Sequence, residues 1–330
     1  MEFYNNHKLL FWTALLFFLF LTLNIAILPA IQNQQVYKPL PDAKPLTKEQ
    51  KAGKALYVEN GCIACHTQQV RGIDMDKPFG NRPNLPADYA MNERMDVWQN
   101  TANLLGSERT GPDLTNIGER QPSIDWHLLH LYQPRAVVEQ SVMPAYPWLF
   151  VEKDFVEKGD IEVKVPAKFL RNKNKKIVAT KDALNLVAYL QALKQVKLPD
   201  GTPTPEFLYK QKEKAVAASG GGDALPDGGD IYNANCVACH QANGEGLAGA
   251  FPPLKGSPIV LGEDLKLYVT IIMKGYDARP EYATMTDVGT AANFTPEMVA
   301  ALINHERTSW GNQGKKVTAE EVKKIMDEIK

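Results

Sequence analysis

The sequence predicts a mainly α-helical protein, with one N-terminal transmembrane helix followed by two compact helical domains. Three observations predict it. Leu9 to Leu28 is a run of 20 residues without a charge, long enough at about 1.5 Å of rise per residue to cross a hydrocarbon core. Beyond it, apolar residues recur at helical spacing behind capping residues, and no strand-like alternation of any length competes. A proline-rich tract and a glycine-rich tract then divide the remainder into stretches that can each bury a core. The net charge of -1, without a basic stripe, gives no sign of a nucleic-acid partner.

The N-terminal run is interrupted only by Thr13, Thr22 and Asn24. A cleaved signal peptide has a shorter apolar core, about 7 to 15 residues, and ends in a small-x-small site. Leu28-Pro29-Ala30 is a weak match, so residues 1–35 are read as a retained anchor. Pro39, Pro41 and Pro45 make the following stretch a stiff tether. The first domain, 36–198, contains a helix from Lys48 to Val58 on which Ala52, Ala55 and Leu56 share a face. It closes with a helix from Lys181 to Lys194, capped by Thr180 and carrying Leu184, Val187 and Leu190 at helical spacing. Residues 199–229, with Ala217 to Gly222 at their centre, form a flexible linker. In the second domain, 230–330, Thr295-Pro296-Glu297 is a cap, an N1 proline and a first-turn acid. Thr318 and Glu321 form a capping-box pattern ahead of Val322, Ile325 and Ile329.

The four cysteines carry the chemistry. They stand at 62, 65, 236 and 239, in Cys62-Ile63-Ala64-Cys65-His66 and Cys236-Val237-Ala238-Cys239-His240. A C-x-x-C-H run is the signature of covalent c-haem attachment, because two thiols at that spacing meet the two vinyl groups of one haem and the next imidazole ligates its iron. A zinc ribbon built from both pairs is the alternative, and the long intervening stretch argues against it. The expectation is therefore two covalently bound c-type haems, one per domain, on Cys62/Cys65 and Cys236/Cys239, with His66 and His240 as iron ligands. The fold class becomes a transmembrane helix followed by two cytochrome c-like helical haem domains. Glu2 and Lys8 leave the orientation open. Covalent c-haems are assembled outside the cytoplasmic membrane, which places the domains on the periplasmic side of a bacterial inner membrane.

A haem that only passes electrons has a second strong axial ligand, and methionine raises its potential. In the first domain the choice is Met143, held between proline-rich loop segments in Ser141 to Trp148. Met75, Met91, Met95, His127 and His130 are its rivals. In the second domain Met285, in the irregular Ala283 to Thr286 stretch, is preferred over Met273 and Met298, which fall in helical patterns. Arg109 and Arg135 are candidates to pair with haem propionates, and solvated arginines are the equal alternative.

The first 200 residues resemble the mono-haem subunit, subunit II, of cbb3-type cytochrome c oxidases. The likeness rests on ordered blocks: Gly61 to Arg71 around the first motif, Arg109-Thr110-Gly111-Pro112-Asp113-Leu114, Asp125-Trp126-His127-Leu128-Leu129-His130-Leu131 with Pro134-Arg135, Met143-Pro144-Ala145-Tyr146-Pro147-Trp148, and Asp182-Ala183-Leu184 running into Tyr189-Leu190-Gln191. The resemblance implies ligation by His66 and Met143 and docking on a haem–copper oxidase catalytic subunit in the membrane. An upstream cytochrome or quinol-oxidising complex would then be the electron donor. The last 100 residues look like a small single-haem cytochrome c domain, on Asn235-Cys236 to Pro253-Leu254 and Ser309-Trp310-Gly311-Asn312. The chain departs from the pattern in carrying that second domain and in its lysine-rich stretch from Val151 to Thr180. The expected function is electron transfer to the oxidase. The alternatives are the cytochrome subunit of a nitric oxide reductase or related haem–copper complex, and a haem enzyme acting by itself.

Overall fold

The computed structural model describes residues 3–36, 44–90, 104–208 and 225–329. Met91, Met95, most of the tether and the glycine tract of the linker lie outside these residues. Helix α1 (His7–Leu21) continues through a π-helical turn (Thr22–Ile27) into α2 (Leu28–Val36), and Asn6 caps its start by accepting from the Leu9 N–H. His7–Gln32 is long and apolar enough to cross a membrane, and none of it is buried against the rest of the chain. Its polar side chains close onto their own helix. Thr13 Oγ1 donates to Leu9 O and Asn24 Nδ2 to Phe20 O, both at 2.8 Å, which satisfies them without water.

The first haem-motif region packs α3 (Lys48–Glu59) against α5 (Lys181–Ala192), with α4 (Ile124–Tyr132) laid beside them. The Thr47–Gln50 capping box starts α3, and Thr180 caps α5 as the sequence predicts. The α3–α5 crossing depends on Gly53, where a Cβ would lie 1.9 Å from Asn185 O. One turn away the Tyr57 and Tyr189 rings meet edge to face at 5.6 Å. Leu128, Leu129, Leu186 and Val187 fill the core between these helices.

One element departs from the helical expectation. The strands β1 (Phe150–Lys153), β2 (Glu162–Val163) and β3 (Lys176–Ala179) form an antiparallel sheet in the order β1-β3-β2, with Phe150 opposite Ala179 and Glu162 opposite Val178. The lysine-rich stretch is its outer surface, where Lys153 pairs with Asp160 at 2.8 Å and Lys176 with Glu162 at 2.9 Å. Its strands are too short to show a period of two.

The second region repeats the first region's device. Helix α6 (Gly228–Asn235) crosses α8 (Pro296–Thr308) at Gly228, where a Cβ would lie 2.1 Å from Ala301 O. Helix α7 (Leu265–Lys274) and α9 (Ala319–Glu328) complete the core around Val269, Leu302 and Ile303. Thr295 caps α8, and Thr318 with Glu321 forms the expected capping box on α9. The two regions are in contact. Ala250 and Phe251, downstream of the second motif, are buried in the first region's core.

Candidate functional site

Each C-x-x-C-H motif follows directly on a helix. Asn60 ends α3, Gly61 takes a left-handed φ of 71°, and Cys62–Ala64 forms a tight 3-10 turn. In the second motif α6 runs straight into Cys236 and the turn Val237–His240. The backbone N–H of each histidine returns to the first cysteine of its motif, His66 N to Cys62 O at 2.9 Å and His240 N to Cys236 O at 3.0 Å.

Both imidazoles are then held alike. His66 Nδ1 lies 2.8 Å from Pro112 O, and His240 Nδ1 lies 2.9 Å from Pro252 O. A carbonyl can only accept, so Nδ1 carries the hydrogen and Nε2 keeps its lone pair for a metal. Burial lowers the pKa of both rings and keeps them neutral. Gly111 permits the approach in the first motif, since a Cβ there would sit 2.4 Å from His66 Cε1. Burial also pushes the Cys62 thiol up to about 11 and the Cys239 thiol up to about 12. Without a bound group these sulfurs are neutral thiols. Among the described residues no three His, Cys, Asp or Glu side chains gather as a metal site.

Around the second motif lies a cleft of about 1190 Å³, open to solvent, with Cys236, Cys239 and His240 lining it together with Met285. Val260, Ile271 and Leu302 give it an apolar lining, which suits a flat apolar macrocycle. Met285 is pinned by paired backbone bonds with Tyr276, at 2.8 and 2.9 Å. Its rivals Met273 and Met298 pack against the second core. In the first region Met143 and Cys62 both pack on the core's edge, and Trp148 Nε1 donates to Asn60 Oδ1 at 3.0 Å, so the Met143-to-Trp148 segment runs beside the motif. His130 Nδ1 is buried with no hydrogen-bond partner among the described residues.

Comparison with known proteins places this geometry. Residues 2–170, half of the chain, match the family described as "Cytochrome C oxidase, mono-heme subunit/FixO". The chain belongs to that family. Residues 226–310 match the cytochrome c family. Over 153 residues the chain is 34% identical to the cytochrome c subunit of a quinone alcohol dehydrogenase from Gluconacetobacter polyoxogenes, covering 45% of this chain and 32% of that subunit. The chain thus spans about a third of that relative's length. Over 114 residues it is 41% identical to cytochrome c-552 of Thermus thermophilus, covering 31% of this chain and 76% of the relative. This member of the mono-haem oxidase subunit family is a cytochrome c electron-transfer subunit, and its cytochrome c regions bind haem covalently.

The other side chains singled out in the sequence are placed as follows. Arg109 is committed to partners inside the protein. It pairs with buried Asp76 and donates to Thr67 Oγ1 at 2.9 Å and Gln69 O at 2.8 Å. Burial alone would raise Asp76, but hydrogen bonds from Arg71 and Arg109 outweigh it and hold the carboxyl at about 2. Asp113 accepts from Thr67 Oγ1 at 2.6 Å and from the Gln69 N–H at 2.7 Å. The segments flanking His66 are thereby tied together by charge. His127, a rival ligand, places Nε2 2.8 Å from Gln121 O, and Met75 is exposed. Arg135 is exposed on a short helical turn. Asp76 had no signal in the sequence, because one of its two arginine partners, Arg109, lies 33 positions away in another loop.

Proposed function

We propose that the chain carries electrons through two c-type haems to the haem–copper catalytic subunit of a cbb3-type oxidase. Residues 36–198 would hold one haem on Cys62, Cys65, His66 and Met143. Residues 230–330 would hold the other on Cys236, Cys239, His240 and Met285, across the 199–229 linker. When bound, each haem supplies a one-electron iron couple. The protein's part is to hold that iron in place and keep it closed. Each proline carbonyl orients an imidazole so that Nε2 faces the cofactor, and a thioether is brought from the opposite loop. The apolar lining would lower the polarity around the second haem, and Met143 and Met285 would supply the second ligands that leave no position for a substrate. The observation that carries this reading is the duplicated motif, each with its histidine tied to a proline carbonyl, and Met285 facing the same cleft as His240.

The helix His7–Gln32 would anchor the chain in the bacterial cytoplasmic membrane with both haems on the periplasmic side. The donor would be an upstream cytochrome or a quinol-oxidising complex. The likeness to alcohol dehydrogenase cytochrome subunits favours a second reading, in which the same relay serves a quinone-linked dehydrogenase. Purification from the native membrane separates the two. We expect two covalent haems per chain by pyridine haemochrome, with a haem–copper subunit co-purifying. One haem per chain overturns the two-haem relay, and a dehydrogenase in place of the oxidase overturns the partner.

A further inference from the structure

A separate set of contacts joins the two haem-motif regions to each other, all at the start of α4. Trp126 Nε1 donates to Ala238 O at 3.1 Å. Ala238 lies between Cys236 and Cys239, so the bond lands inside the second attachment motif itself. The preceding residue reaches the opposite side of the same cleft. Asp125 Oδ2 accepts from the Thr284 N–H at 3.0 Å, and Thr284 precedes Met285. Two adjacent side chains of the first region thus grip both the histidine loop and the methionine loop of the second.

The first region also supplies part of the second cleft's wall, through Gln121, Pro122 and Ser123. That wall is braced from behind, where Gln191 Nε2 donates to Pro122 O at 2.6 Å and His127 holds Gln121 O. On its other face the Trp126 ring stacks on His130, with centroids 4.6 Å apart and planes inclined by 12°. Trp126 also packs on the same core as Cys62 and Met143 of the first motif region. From the second motif towards the core that carries Cys62 there is a run of one hydrogen bond and one stacked ring pair.

We propose that Trp126 is the joint that fixes the second haem-motif region on the first, and that its ring stacked on His130 bridges the electron route between the two attachment motifs. The inference rests on the two-haem reading above. The step moves one electron and no atoms: the second centre is oxidised and the first reduced. Tunnelling weakens with every gap between packed groups, and the Ala238–Trp126–His130 run removes such gaps. Asp125 sets the distance, and Trp126 both sets it and fills it.

The test uses the full-length haem-loaded chain with three variants, Trp126→Leu, Trp126→Phe and Asp125→Ala. Haem content and absorption spectra check that both centres are retained. Small-angle scattering reads the docking, and intramolecular electron equilibration after pulsed photoreduction reads the coupling. Trp126→Leu is expected to slow equilibration on the order of tenfold. Trp126→Phe, which keeps a ring against His130 but loses the bond to Ala238, is expected to give a rate between those of Trp126→Leu and the parent. Asp125→Ala is expected to loosen the envelope. An unchanged rate in Trp126→Leu overturns the bridge, and a parent envelope of two separated bodies overturns the joint. If the chain held a single haem, the two-haem reading would fall with the bridge, while scattering would still decide the joint. If it purified with a different partner, both parts of the test would stand unaltered.

Discussion

Glu306 is an acid buried in α8 beside the second cleft, with the Tyr268 hydroxyl donating to it. Its neighbour Arg307 turns away, donating to the carbonyls of Val260 and Gly262. Burial therefore dominates and pushes the Glu306 carboxyl from its ordinary 4.5 up to about 7. Between those two values the folded chain holds a proton that the unfolded chain has released. Stability is then greatest at acidic pH, declines as pH climbs through that window, and stays lower above it. Glu306→Gln keeps an acceptor for Tyr268 and removes the charge. At pH 8 the variant is expected to unfold later than the parent, by about 1–3 kcal/mol, with the gap closing towards pH 5. Thermal melts of the haem-loaded chain across that range check it, and an equal gap at both ends would refute the assignment. Nothing in the sequence singles out Glu306, because its isolation arises from α7 and the 260s loop folding around it. The motif cysteines and histidines were legible, since their chemistry depends on adjacent positions alone.

At the scale of elements, the two haem-motif regions share one construction: a glycine on the helix before each motif lets a later helix lie on its backbone. Gly53→Ala would set a methyl group 1.9 Å from Asn185 O and 2.8 Å from Tyr189 Cβ. Helices α3 and α5 must part to admit it. The first region is expected to lose about 1–3 kcal/mol, while the local stability around α6 and α8 holds, because distant sites act independently. Hydrogen exchange resolved by segment distinguishes the two. The helices themselves were readable from caps and periodicity, as Thr180, Thr295 and the Thr318–Glu321 box show. The sheet was not. Its strand β3 buries Ile177, Val178 and Ala179 in succession, so no alternation marks it. Met285 was placed in its loop from irregular sequence alone, whereas the wall of Gln121, Pro122 and Ser123 comes from the other half of the chain and has no local signature.

Across the whole molecule, the glycine-rich linker suggested a second domain free to swing, yet the regions on either side of it are packed together. Their union is apolar as well as hydrogen-bonded: Phe251 is buried in the first core, and Cys239 and Leu247 press against that core. The position of Cys239 has a consequence for biogenesis. A half-buried thiol set between two packed bodies is harder for a maturation enzyme to approach once they have closed. Ligation of the second cofactor is then favoured before closure, and closure follows more readily on a finished half. A chain carrying Cys239→Ser is accordingly expected to show increased protease cutting between 199 and 229, and cutting at the parent's rate would count against such an order.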